Sequence, residues 1–214
     1  PEGYYTIGIC SKEEMKTQID YALQNGFEQF KLKLDGKNDF EIVGNFTSQC
    51  NKPFAVDVNC GWKNIEDAKH FIPFIEDELC LIVEQPFEKH WLEEMKELPD
   101  DTPVIFLADE SCQRLSDIEK LRESFDGINI KLMKCGGITE AFQMITKARE
   151  LDMKILIGCM SESSVGCTAA AQLTPLSDYA DLDGPYLIAN DPFEGMKIKK
   201  GKIGLNPLKP KINL

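Results

Sequence analysis

The sequence predicts an α/β protein of the (β/α)8 TIM-barrel class, and three observations carry that expectation. Short apolar runs alternate with amphipathic stretches along the chain, the pattern of parallel strands joined by crossover helices. Three successive runs end in an acid: residues 54–57 (FAVD), 81–84 (LIVE) and 104–109 (VIFLAD), so Asp57, Glu84 and Asp109 stand 27 and 25 residues apart. Each interval holds one strand, one helix and two loops, which puts the acids at equivalent strand ends. No linker-like stretch divides the 214 residues. Eight strands with seven intervening helices then close most economically as one right-handed parallel barrel.

The elements follow in order. Residues 4–10 (YYTIGIC) read as the first strand, and Ser11 with Glu13 and Glu14 as the N-cap and acidic first turn of a helix that stops at Asn25 and Gly26. Residues 30–34 (FKLKL) are the second strand. Side chains alternate faces, so Lys31 and Lys33 share one; Leu32 and Leu34 suit the helix layer, which turns both lysines inward. Two lysines would equally suit an edge strand, where charge discourages aggregation; inward acids favour the interior reading.

After the third strand, Gly61 and Trp62 make a turn, 65–75 reads as a helix and 79–84 as strand four. Residues 91–98 are a short helix before strand five, and 116–123 another, N-capped by Ser116. Strand six, 127–133 (GINIKLM), carries Lys131; Gly136 and Gly137 open a loop before a helix over 139–151. Residues 154–158 (KILIG) are strand seven, followed by a small-residue helix reaching Ala171. The last strand, 179–184 (YADLDG), carries Asp181 and Asp183 as a period-2 pair. That pair reads either as an N-cap and a turn residue ahead of Gly184 and Pro185 or as a clamp for an ammonium group. Residues 196–199 (MKIK) and 201–204 (GKIG) suggest a hairpin within a tail over 196–214.

Composition narrows the function classes. A net charge of −12 disfavours nucleic acid and anionic membrane, each of which needs a basic face. The eight cysteines are scattered singly with no CxxC pair, which suggests reduced core thiols in a cytoplasmic protein rather than a zinc ribbon or a disulfide framework. No apolar run approaches the length of a transmembrane helix. The two histidines, His70 and His90, fall in or beside helical segments and read as surface residues. One acid at a strand end is more often a helix N-cap than a ligand. Three in successive units converge on one spot, where burial of each uncompensated charge costs several kcal/mol. A divalent cation relieves that cost, and an oxygen-only donor set favours Mg²⁺.

Taken together, Lys31 and Lys33, Asp57 and Asn59, Glu84-Gln85-Pro86, Asp109-Glu110-Ser111, Lys131 with Gly136 and Gly137, and Asp181 with Asp183 resemble the enolase superfamily. Within it they are most similar to the muconate-lactonizing subgroup and its dipeptide epimerases of the L-Ala-D/L-Glu type. The resemblance implies that residues 1–214 form the C-terminal catalytic barrel, without the N-terminal capping domain that reads the substrate side chain. It implies Asp57, Glu84 and Asp109 as Mg²⁺ ligands, and Lys33 and Lys131 as the two acid/base groups. Lys31 would lie near the substrate carboxylate, and Asp181 and Asp183 would receive a dipeptide's free ammonium. The implied reaction is a 1,1-proton transfer through an enediolate, with lysines on strands two and six facing one carbon from opposite sides. The alternatives are an o-succinylbenzoate synthase or cycloisomerase of the same subgroup, whose substrates lack an ammonium, or a lidless barrel that turns nothing over. A dipeptide is the expected partner, with self-association left open.

Overall fold

Strands β1 (Tyr4–Ile7), β2 (Gln29–Lys33), β3 (Phe54–Asp57), β4 (Cys80–Glu84), β5 (Ile105–Ala108), β6 (Gly127–Lys131), β7 (Lys154–Gly158) and β8 (Tyr179–Asp181) pair in sequence order, all parallel. A parallel bridge from Gly3 to Ala180 joins the last strand to the first and closes the barrel. These coordinates are a computed structural model that describes residues 1–99 and 101–211; the final three residues of the expected tail lie outside the described residues.

Helices α1 (Lys12–Gln24), α2 (Asp39–Thr47), α3 (Ile65–Glu76), α4 (Leu92–Met95), α5 (Ile118–Leu121), α6 (Leu132–Cys135), α7 (Ile138–Glu150), α8 (Ser164–Ala171) and α9 (Gly184–Leu187) fill the connections and follow β8. The longer ones arise from local signals. Helix α1 starts at a capping box in which Ser11 accepts from Glu14 N and the Glu14 carboxylate accepts from Ser11 N. It ends where Gly26 takes a left-handed φ of 84°. Its buried stripe is Met15, Ile19 and Ala22, and that of α7 is Ala141, Met144, Ile145 and Ala148, both at helical spacing.

Several expectations need correction, among them strand six, which stops at Lys131 and not at 133, since Leu132–Cys135 is a helical turn. The helix expected over 91–98 is only Leu92–Met95. Ser116 is not an N-cap: it lies inside a 3₁₀ turn, Leu115–Asp117, and the Asp117 carboxylate instead accepts from the Gln113 and Arg114 amides. The last strand stops at Asp181. Gly184 and Pro185, preset for a first helical turn, start α9, so Asp183 leads into a helix and is not a second strand position.

Outward strand residues such as Tyr5, Phe30, Leu32, Val56, Val83, Ile128 and Ile155 merge with the helices into the main core. Each contributes about 1.5–3 kcal/mol by leaving water. Inside the barrel lies a separate small cluster of Tyr4, Ala55, Ile82, Leu107 and Leu156. Two positions beyond these, on the same inward face, come Thr6, Asp57, Glu84, Asp109 and Gly158. An apolar floor thus supports a polar storey at the C-terminal ends of the strands, where barrels of this kind carry their chemistry. The expected hairpin is present as β10 (Lys197–Lys199) against β11 (Lys202–Gly204), and β9 (Phe193–Glu194) pairs with β12 (Lys209–Pro210). The hairpin sits at the opposite, N-terminal end, where Gly3 N donates to Gly201 O and Glu2 bridges to Lys202.

Candidate active site

Period-2 alternation brings the expected residues to one place. In register, Lys33 stands beside Asp57 and Asp57 beside Glu84, while Lys131 pairs with Gly158 and Gly158 with Asp181. Lys31, Lys33, Asp109, Lys131, Asp181 and Asp183 line a cavity of about 440 Å³ at the mouth. Asp57 and Glu84 form its floor and are fully buried. Lys31 is inward as expected and 2% exposed. Strands β2 and β6 lie four positions apart in an eight-strand ring, so Lys33 and Lys131 approach the cavity from opposite walls. His70 and His90 are exposed on the outer layer.

Lysines supply the compensation that the buried acids require. Lys31 Nζ lies 3.1 Å from Asp57 Oδ2, 2.9 Å from Glu84 Oε2 and 2.8 Å from Asp181 Oδ2. Lys33 donates to Asp57 Oδ2 at 2.7 Å and to Asn59 Oδ1 at 2.8 Å. Lys131 donates to Asp109 Oδ2 at 2.7 Å. Among the described residues, no three acid, histidine or cysteine side chains are drawn together as a ready-made metal cluster, because ammonium groups stand between the acids.

The carboxylates nevertheless share a two-sided design. One oxygen of each is held from behind: Asp57 Oδ1 by Asn59 N at 3.1 Å, Glu84 Oε1 by Asn129 Nδ2 at 2.9 Å, and Asp109 Oδ1 by Lys134 Nζ at 2.5 Å. The other oxygen of each faces a lysine ammonium. Glu84 Oε2 is within ion-pair distance of Lys31 but receives no hydrogen bond, since Lys31 lies off the angle one requires. A buried oxygen that faces positive charge without a donor suits a bare cation. The all-oxygen set therefore fits Mg²⁺ once the ammoniums give way.

Asp57, Glu84, Asp109, Asp181 and Asp183 face only four ammoniums, those of Lys31, Lys33, Lys131 and Lys134, and the two least well paired acids show it. Burial, added to by Asp57 and Asp109 and opposed by Lys31, pushes Glu84 up to about 7. Burial and the neighbouring Asp181 push Asp183 up to about 7 as well; its one close partner is Thr6 N, at 2.5 Å. Burial also opposes the charge on Asp57 and Asp109, but Lys31 and Lys33 outweigh it for the first, and Lys134 and Lys131 for the second. Both stay below the usual carboxylate range. Burial disfavours the charge on Lys31, yet Asp181, Asp57 and Glu84 hold it well above the ordinary lysine value. Lys131 is raised too, because Asp109 and Glu84 outweigh its burial.

A pH dependence of stability follows. Asp183 binds its proton more tightly folded than unfolded, so stability is highest below about pH 4 for this group and falls as pH climbs from about 4 to about 7. The loss is on the order of a few kcal/mol. Asp183→Asn should flatten that slope in denaturant titrations across the window, and an unchanged slope would remove the group from the account.

Several site residues escaped the sequence reading. Asn129 lies two positions before Lys131 on the same inward face, a signal period 2 could have supplied. Its amide needs Gly158 opposite, where a Cβ would come within 2.4 Å of Asn129 Oδ1. Gln85 follows Glu84 with a left-handed φ of 40°, and its buried side chain accepts from Asp109 N and Ser111 N at 3.0 Å each. It ties the end of β4 to the turn after β5, and nothing in its local sequence marks that role.

Comparison with known proteins agrees with this geometry. Residues 14–199 match the family profile described as Enolase C-terminal domain-like. The chain is 40% identical over 208 residues to L-Ala-D/L-Glu epimerase of Bacteroides thetaiotaomicron, covering 97% of this chain and 54% of that protein. It is 37% identical to an L-Ala-D/L-amino acid epimerase of a Maribacter species, covering 92% of this chain and 58% of that one. Among solved structures it superposes with a TM-score of 0.89 on a dipeptide epimerase from Methylococcus capsulatus complexed with Mg and the dipeptide L-Arg-D-Lys. That match is 28% identical and covers 96% of this chain and 61% of the other. The chain thus spans a little over half the length of the curated relatives it matches.

Proposed function

Since the chain belongs to the enolase C-terminal domain-like family, we propose that its barrel, residues 1–214 with a tail over 196–214, carries the proton-transfer site of a Mg²⁺-dependent dipeptide epimerase, an isomerase of amino-acid derivatives. The observation that carries this reading is the placement of Lys33 and Lys131 on opposite walls of one cavity above Asp57, Glu84 and Asp109. Inversion at carbon needs a base on one face and an acid on the other, and a one-sided elimination does not.

Asp57, Glu84 and Asp109 would hold the cation. When bound, Mg²⁺ supplies a Lewis acid that offsets the negative charge building on the substrate carboxylate, as is already known for enolase-superfamily sites. Lys33 and Lys131 exchange the α-proton on their respective faces. Lys131, kept charged by Asp109 and Glu84, is set to deliver a proton to the face it commands. Lys31, at the centre of the acids, keeps a fixed positive charge close to the substrate carboxylate. Asp181 and Asp183 receive the dipeptide's ammonium, a reading supported by their burial and by the shortage of positive charge around Asp183. An ammonium clamp favours a dipeptide such as L-Ala-L-Glu over the substrates of o-succinylbenzoate synthase or a cycloisomerase. The eight free cysteines support a reducing, cytoplasmic setting.

Incubation with Mg²⁺ and a panel of L-Ala-X dipeptides in D₂O tests the reaction. Deuterium at the C-terminal residue's α-carbon together with the second diastereomer is expected; loss of water or ring closure would move the assignment to the alternatives. Asp181→Asn should raise the dipeptide KM roughly 10–100-fold, the worth of one charge-assisted hydrogen bond. An unchanged KM would remove the clamp.

A further inference from the structure

Two lysines reach Asp109, and they do so differently. Lys131 ends β6, lines the cavity and makes one hydrogen bond among the described residues, to Oδ2, leaving two N–H groups without a partner. One helical turn follows, α6, closed where Gly136 takes a left-handed φ of 85°. That turn carries Lys134 back over the strand end. Its Nζ donates to Asp109 Oδ1 at 2.5 Å, Asp109 O at 2.8 Å and Asn129 O at 2.8 Å. An ammonium has three N–H groups, and all three of these are used. The side chain is 4% exposed, and although Lys134 also lines the cavity, it has no N–H left over to exchange.

We propose that Lys134 is a positioning residue. It pins Asp109 by one oxygen and by its carbonyl, and ties that corner to β6, so that Oδ2 stays turned toward Lys131 and the cation site. Asp109 lies one residue past β5; without Lys134 its carboxylate would be held only by Lys131 on Oδ2, with Gln85 on the backbone amide. Asn129 links the two halves of the arrangement, since its carbonyl receives Lys134 while its amide holds Glu84. One strand segment thus sets the rear oxygens of two of the three acids. The inference rests on the assignment of Asp109 as a cation ligand.

The test is Mg²⁺ affinity measured by calorimetry on the folded protein, with no substrate present. Lys134→Met should weaken Mg²⁺ binding about 10–100-fold, the usual effect of removing a partner that orients a ligand. At saturating Mg²⁺ it should retain α-deuterium exchange from both epimers, which loss of an acid/base lysine would not allow. If Lys134→Met does not fold, Lys134→Gln, which keeps at most two of the three donors and no charge, should weaken binding in the same direction by a smaller factor. Lys134→Arg restores charge and should recover part of the affinity. Wild-type Mg²⁺ affinity in a folded Met or Gln variant overturns the positioning role. Asp109→Asn separates the two levels: if it binds Mg²⁺ as tightly as wild type, the ligand assignment fails and the inference with it, whereas lost binding in Asp109→Asn with wild-type affinity in Lys134→Met overturns only the inference.

Discussion

Lys33→Ala and Lys131→Ala should each abolish inversion, with kcat falling about 10²–10⁴-fold or more, the contribution of a positioned acid or base. The expectation comes from topology. Strands β2 and β6 are four apart in a closed ring of eight, so a carbon held between them meets one amine per face. Each amine hangs from its own strand on opposite walls of the cavity, so neither serves for the other. Removing one leaves a single face competent. In D₂O, one variant should then wash out the α-proton of only one epimer, and the other variant only that of its partner. Paired exchange experiments from each diastereomer read this directly. Epimerisation within about tenfold of the wild-type rate in either variant would defeat the two-base assignment.

Lys31→Met should be the most damaging substitution for stability in protein stripped of divalent metal. Lys31 is the ammonium shared by Asp57, Glu84 and Asp181, all buried. Removing one partner of a buried charge set costs about 3–5 kcal/mol, because the charges left behind are uncompensated. In a chain of this length that is roughly 6–20 °C in Tm. Protonation relieves stranded acids, so the deficit should shrink as pH falls and grow as it rises. Added Mg²⁺ should narrow the gap, since it neutralises two of the same carboxylates. Thermal melts at pH 8, with chelator and then with Mg²⁺, measure both effects. A loss below about 1 kcal/mol with chelator would mean that Lys31 does not carry the charge balance.

Much of this site was legible because period 2 is a strict rule. Once Leu32 and Leu34 are given to the helix layer, Lys31 and Lys33 must face inward; their register beside Ala55 and Asp57 comes only from the structure. The acid-terminated runs located the floor of the cavity for the same reason. What sequence could not provide was geometry made after a strand ends. Lys134 reaches Asp109 only because one turn of helix intervenes, and Gln85 reaches the β5 corner from a left-handed backbone that most residues avoid. Asp181 and Asp183 were placed together, but on one strand. Gly184 and Pro185 form a helix start there, and the two acids still share Thr6, whose hydroxyl donates to Asp181 and whose amide donates to Asp183. Of the four ammoniums that balance all but one of the five charges, those of Lys31, Lys33 and Lys131 were legible in the sequence, and that of Lys134 was not.

The account stands on a shared cation flanked by two opposed amines, and a crystal structure of the Mg²⁺ complex with a dipeptide would test it most directly. It should place Mg²⁺ about 2.0–2.1 Å from oxygens of Asp57, Glu84 and Asp109, with Lys33 and Lys131 Nζ on opposite faces of the C-terminal α-carbon. A cation bound away from these three acids, or both amines on one face of that carbon, would contradict it.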